Sequence, residues 1–285
     1  MFKTIYQDFF SFLKKPNDRQ IKLSLNHKLK FLLILFSFEL LLSFIIFLPL
    51  NLGINELVPL RTDKFDYADT FLRSLLLWVI VVPFIEELIF RYILRYQGAK
   101  KKIINKNLWN YIFPVLVYIL SMGFGFVHLS NYLNESKLFL ILSPFIIFSQ
   151  LIGGLIITYI RVRINFIWGV FYHWLWNFLF VIIIPFLESE FTKPYVEETN
   201  KFKISIIEKP FFETDKSQVL KIDSSTKKIH KINLNQYSMQ TLLDTIYMKD
   251  RYYVDDVLIN LEYTSKDGLT KEQFLNILRK NYEIK

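Results

Sequence analysis

The chain has no cysteine, which excludes a disulfide framework, a thiolate nucleophile and a thiolate metal site, and leaves the redox compartment unread. Glycine and proline are scarce, 8 and 9 among 285 residues, so fibrous repeats and low-complexity disorder are excluded as well. The opening segment, MFKTIYQDFFSFLKKPNDRQIK, lacks an apolar core of signal-peptide length and a small-residue cleavage site. Residues 1–27 therefore read as a basic cytoplasmic lead-in lying at a membrane interface.

What the chain has in excess is apolar side chains: 52% of residues are hydrophobic and 18% aromatic. They gather between His27 and Leu187 in five runs, about 28 to 50, 70 to 97, 108 to 129, 138 to 160 and 165 to 186. Each run exceeds the roughly 20 residues needed to cross a ~30 Å hydrocarbon layer, and a helix is the form that satisfies its own backbone there. The expected architecture is an all-α polytopic membrane bundle of about five to six transmembrane helices over 28–187, followed by a small soluble α+β domain over 188–285.

Charge supports that division. From Leu187 onward Lys and Arg balance Asp and Glu at 16 each, so the whole net charge of +9 lies before it. Basic residues flanking apolar runs record orientation and contact with an anionic bilayer rather than nucleic-acid binding. Lys14, Lys15, Arg19 and Lys22 precede the first run, Arg95 and Lys100 to Lys102 follow the second, and Arg161 and Arg163 follow the fourth. These alternate connections share one side, which the positive-inside rule makes cytoplasmic. The reading is a multi-pass protein of a bacterial cytoplasmic membrane with a cytoplasmic N-terminus; five spans would leave the C-terminal domain on the far side.

In that domain KFKISIIEK alternates as a strand, and QVLKIDSSTKKIHKINL reads as a hairpin with a Ser-Ser-Thr-Lys turn. MQTLLDTIYM and TKEQFLNILRKNY read as helices, the second opened by a capping box of Thr270 and Gln273 after Asp267 and Gly268. No cluster of catalytic residue types stands out there.

Inside the apolar runs each charged side chain costs ~2.5–3.5 kcal/mol, so each needs a reason to be present. The second run holds Glu86, Glu87 and Arg91 in FIEELIFRYILR, the third ends with Phe124 and His128 in GFGFVHL, and the fifth holds His173 and Asn177 in FYHWLWN. Glu87 and Arg91 are four apart and can neutralise each other on one helix face, whereas Glu86 is turned about 100° away. Phe124 with His128, and His173 with Asn177, share faces for the same reason. Three helices could aim Glu86, His128, His173 and Asn177 at one point. A carboxylate and an imidazole can deprotonate water and return the proton to a leaving amine, while a second imidazole and an amide stabilise an oxyanion. No Ser or Cys nucleophile lies in these segments, so water is the attacker. The site is read without metal or other cofactor, with Zn²⁺ on the same donors as the alternative.

Two features fit less easily. Glu39 in the first run belongs to no such pattern; Arg73 is its expected partner. Measured from the cytoplasmic ends, Glu86 and His173 lie roughly 12–16 Å deep and His128 roughly 25–30 Å, a gap to be closed by tilt or by a helix starting nearer Pro114.

EELIFR, Glu86 to Arg91, resembles the EExxxR motif of the CAAX protease and bacteriocin-processing family of intramembrane peptidases, also called CPBP or ABI. FGFVH, Phe124 to His128, resembles its FxxxH motif, and HWLWN, His173 to Asn177, its HxxxN motif. The resemblance covers about residues 70 to 186. It implies an intramembrane endopeptidase acting on a membrane-associated protein or peptide, with Glu86 and His128 activating water, His173 and Asn177 holding the oxyanion, and Glu87, Arg91 and Phe124 supporting the site. The alternative on the same scaffold is a non-catalytic membrane binding or bacteriocin self-immunity protein.

Overall fold

The computed structural model of the protein describes residues 2–60, 70–98, 100–225, 228–249 and 251–285. The chain divides into two compact units, one formed by Met1–Asp63 with Leu77–Phe178 and the other by Lys64–Leu76 with Leu179–Lys285.

Four helices among the described residues are long and apolar enough to cross a membrane: Leu25–Leu57, Lys106–Asn131, Lys137–Arg163 and Phe166–Phe191. We refer to them as the first, third, fourth and fifth helices. The second, residues 71–90, is also continuous, but every 18-residue stretch of it contains all three of Arg73, Glu86 and Glu87, more charge than the apolar stretches of the other four hold. The membrane fold is therefore a helical region with four candidate spans, where five to six were expected.

Proline shapes three of these helices in one way. Pro49, Pro83 and Pro185 each sit at the start of an α-helical segment, and directly before each lies a π-helical stretch, Ser43–Phe47, Leu75–Val81 and Phe178–Ile183. Proline has no N–H to donate, and its ring crowds the preceding turn; a wider turn relieves the crowding and leaves carbonyls open to other donors.

The second helix ends at Phe90, well short of residue 97, and this is the main departure from the sequence expectation. The N–H groups of Arg91 and Tyr92 both bond to the Glu87 carbonyl, and the chain leaves the helix. Irregular backbone at membrane depth survives only when protein supplies its hydrogen bonds. Here Arg161 donates to the carbonyls of Arg91 and Tyr92 at 3.1 and 3.2 Å, and Lys100 donates to that of Ile93. Arg95 in turn donates to the carbonyls of Arg161 and Val162.

The N-terminal helix, Phe2–Lys14, is amphipathic and buries Ile5, Phe9 and Phe12 against Phe31, Leu35 and Tyr159. Two carboxylates anchor the N-terminal segment. Asp8 receives Arg163 Nε at 2.6 Å and the Tyr159 hydroxyl at 2.9 Å. Asp18 pairs with Arg95 at 2.9 Å and accepts from the Tyr96 N–H and from Trp109 Nε1.

The second unit is built on an antiparallel sheet in the order β1-β2-β5-β4-β3, with β1 (Tyr195–Glu198), β2 (Phe202–Lys209), β3 (Val219–Ser225), β4 (Lys228–Ser238) and β5 (Leu258–Thr270). Alternation turns Ile204, Ile206, Ile232, Leu234, Ile259, Leu261 and Tyr263 to one core with the helices Met239–Tyr247 and Lys271–Leu278. The capping box of Thr270 and Gln273 closes at 3.2 and 2.9 Å. Gly268 adopts φ +68°, and a Cβ there would stand 2.7 Å from the His230 ring. β1 and β5 have no counterpart in the sequence reading, and the expected turn at Thr226-Lys227 lies outside the described residues.

Burial pulls the Asp8 carboxyl up, but the hydrogen bonds from Arg163 and Tyr159 outweigh it and leave it below the usual carboxylate range. A native pKa lowered in this way adds stability above the unfolded-state value that is lost as pH falls through the native one. Thermal unfolding in detergent should lose stability on acidification through that range. Asp8→Asn should cost about 1 kcal/mol at neutral pH and flatten that limb of the profile; an acid limb identical to that of the unsubstituted protein would contradict this role for Asp8.

Candidate functional site

Site residues come from the second, third and fifth helices. Glu87 and Arg91 are both 0% exposed and pair at 2.9 Å. The second Arg91 nitrogen faces the Gly154 carbonyl at 3.5 Å, and its guanidinium carbon lies 3.8 Å from the centre of the Phe124 ring. A desolvated cation over an aromatic face is worth about 2 kcal/mol, which gives Phe124 a physical role beyond filling space. Glu87 Oε2 and Arg91 Nε have no hydrogen-bond partner among the described residues.

His173 stands between two carboxylates. Its Nδ1 is 3.0 Å from Glu87 Oε1 and its Nε2 is 3.6 Å from Glu86 Oε2. Glu87 is sealed, whereas the Glu86 side chain keeps 18% of its exposure. The two adjacent acids thus divide: one is tied to Arg91, and the other faces the open side of the same imidazole.

His128 caps the third helix and starts the short 3₁₀ turn His128–Asn131. Its Nδ1 donates to the Phe124 carbonyl at 2.7 Å, which leaves Nε2 as the ring's acceptor. Phe124 holds both imidazoles edge to face, with ring centres at 4.6 Å for His128 and 5.7 Å for His173. Glu86 and His173 lie within electrostatic range of His128.

Asn177 turns one amide N–H to the Trp78 carbonyl at 2.9 Å. In a π-turn that carbonyl would be met five residues on, at Pro83, which has no N–H. Trp174 Nε1 donates to the Ile80 carbonyl at 3.0 Å in the same stretch. An amide carries two N–H groups, so Asn177 retains one for another acceptor.

The sequence reading missed several contributors. Arg161 closes the end of the second helix, Trp174 mends its π-turn, and Gly154 makes room for Arg91 and Phe124. Glu39 bonds to Tyr172 rather than to Arg73. HWLWN does place Trp174 one residue after His173, but no local spacing distinguishes it from a packing residue. Among the described residues no group of three or more His, Cys, Asp or Glu is arranged to hold a metal ion, and Glu87 is committed to Arg91.

An acid pair and two imidazoles gathered on helices of membrane-spanning character define a class: an integral membrane protein with a polar site inside its helical region. Residues 68–179 match the family model described as type II CAAX prenyl endopeptidase Rce1-like, and this segment is a domain of that family, which implies a protease. No curated protein and no solved structure is significantly similar to the chain.

Close packing around the site yields a test. A Cβ on Gly154 would stand 3.0 Å from Phe124 and 3.1 Å from Arg91, whereas one on Gly53, in the first helix, meets nothing within 4 Å. Gly154→Ala should lower stability by about 1–3 kcal/mol through overpacking. Gly53→Ala should leave it unchanged or raise it by about 0.5–1 kcal/mol. Equal thermal shifts of the two variants in detergent would refute the packing argument.

Proposed function

We propose that the protein is an intramembrane endopeptidase that hydrolyses a peptide bond of a membrane-associated protein or peptide, with its N-terminus on the cytoplasmic side of a bacterial membrane. The observation that carries this reading is the division of labour around His173: a sealed carboxylate at one nitrogen and a partly exposed one 3.6 Å from the other.

In the proposed reaction Glu86 takes a proton from water, assisted by the acceptor nitrogen of His128, and the oxygen adds to the scissile carbonyl. The carbonyl π electrons pass to its oxygen, which His173 Nε2–H and the free Asn177 N–H stabilise. Collapse re-forms the carbonyl and breaks the C–N bond, and the proton held by Glu86 goes to the leaving amine. Donation from both nitrogens of His173 requires a doubly protonated ring; its charge together with that of Arg91 balances Glu86 and Glu87. Glu87, Arg91 and Phe124 hold that ring in place, and the Trp78 carbonyl orients the Asn177 amide.

The test compares membrane proteomes of cells carrying the unsubstituted protein, Glu86→Gln or His128→Ala at equal protein levels. A cleavage fragment should depend on both residues, with Glu86→Gln lowering its formation by about 10²–10⁴-fold, the usual contribution of a general base. Fragment patterns indifferent to Glu86, with the protein's biological effect retained, would favour a binding or self-immunity role instead.

A further inference from the structure

We propose that Glu39, an acid outside the motifs, is a positioning residue that fixes the rotation of the fifth helix through Tyr172 and so aims His173 at Glu86 and Glu87. This rests on the catalytic reading above.

Glu39 lies in the first helix and is 3% exposed; Tyr172, in the fifth, is fully buried. The Tyr172 hydroxyl donates to Glu39 Oε2 at 2.5 Å. Gly153 of the fourth helix provides the space, since a Cβ there would stand 2.6 Å from Glu39 Oε1. Phe36, nearly one turn before Glu39, meets Tyr172 and Trp176 edge on at 5.9 and 5.6 Å. The first helix therefore grips one face of the fifth.

Tyr172 and His173 are neighbours, about 100° apart around their helix. With Tyr172 drawn to the first helix, His173 falls on the second. Hydrogen bonds from the side chains of His173, Trp174 and Asn177 run instead to the second helix. They fix those two helices to each other, while Glu39 fixes the fifth against the first. A 20° rotation moves a side-chain tip at a radius of 5–6 Å by about 2 Å, enough to open the 3.0 Å contact between His173 and Glu87. Glu39 has no Lys, Arg or His within ion-pair distance among the described residues. A leucine would fill the position without the cost of burying an acid in a membrane, so the presence of glutamate points to the bond it makes.

The full-length protein, labelled with ¹⁵N-histidine in detergent micelles, provides a readout that needs no substrate. The ring signals of His173 are assigned by their loss in His173→Gln, and thermal unfolding reports folding of each variant. Glu39→Gln retains an acceptor for Tyr172 and should leave His173 unchanged. Glu39→Leu and Tyr172→Phe should lower the exchange protection of the His173 ring N–H by about tenfold, the scale of one net hydrogen bond, with His128 unaffected. Tyr172→Phe removes a single oxygen and decides the matter if Glu39→Leu does not fold. Folded Tyr172→Phe protein with an unaltered His173 signal, or a shift shared equally by His128, would overturn the proposal. An absence of any Glu86-dependent cleavage would count against the proteolytic function alone.

Discussion

A guanidinium with no exposed surface needs protein groups in place of water, and the helical unit supplies Arg91 with several, although its Nε stays without a hydrogen-bond partner among the described residues. Taking an ion out of water costs several kcal/mol even after relaxation, and the partner's charge repays this only when geometry is good. Glu87 supplies the charge at 2.9 Å, Phe124 the aromatic face at 3.8 Å and Gly154 the absence of a side chain. Each comes from a different helix, so the pair ties the second, third and fourth helices together. His173 adds the fifth by bonding to the same oxygen of Glu87. The candidate site is the exposed rim of this charge-neutralising cluster.

The same economy governs the backbone. In the second helix the π-turn and the abrupt end leave carbonyls without their usual helical partners, and polar side chains meet them. Trp174 and Asn177 serve the second helix before Pro83, while Arg161 and Lys100 serve it after Phe90. Several basic residues that read in sequence as markers of orientation thus also act as donors to backbone carbonyls. Arg95 shows how far the arrangement extends: it joins the Arg161 and Val162 carbonyls to Asp18 and so connects the N-terminal segment to the fourth helix and to the stretch that follows the second.

What the sequence made legible was mostly local. Glu87 with Arg91, Phe124 with His128 and the alternating strands β2 and β4 follow from spacing along a helix or strand, which fixes shared faces before any tertiary contact. Features set by distant partners were not legible. IFRYILRY continues an apolar pattern through residue 96, and nothing within it announces that Arg161, far along the chain, will satisfy a break at Arg91. Glu39 looked in need of a cation because its hydroxyl partner, Tyr172, lies 133 residues away. β5 is a different case: Ile259, Leu261 and Tyr263 alternate with Asn260, Glu262 and Thr264, and the pattern was present but masked by the surrounding charge. The family motifs located the cluster without revealing that one glutamate is sealed and the other open.

The contacts of Arg91 also bear on the difference in depth expected between Glu86 and His128. Tyr96 stacks near Trp109 at the start of the third helix, with ring centres 5.8 Å apart, while Arg91 reaches Phe124 fifteen residues further along it. Fifteen helical residues rise about 22 Å, and on the other side residues 91–96, which form hydrogen-bonded turns, and the long Arg91 side chain span the same interval. Arg91, at the point where the second helix ends, lies against Phe124, one turn before His128, so the acid pair stands near the end of the third helix. The end of the second helix thus lies beside the candidate site, and Arg161, which donates to the carbonyls at that end, supports the backbone from which Glu87 and Arg91 project.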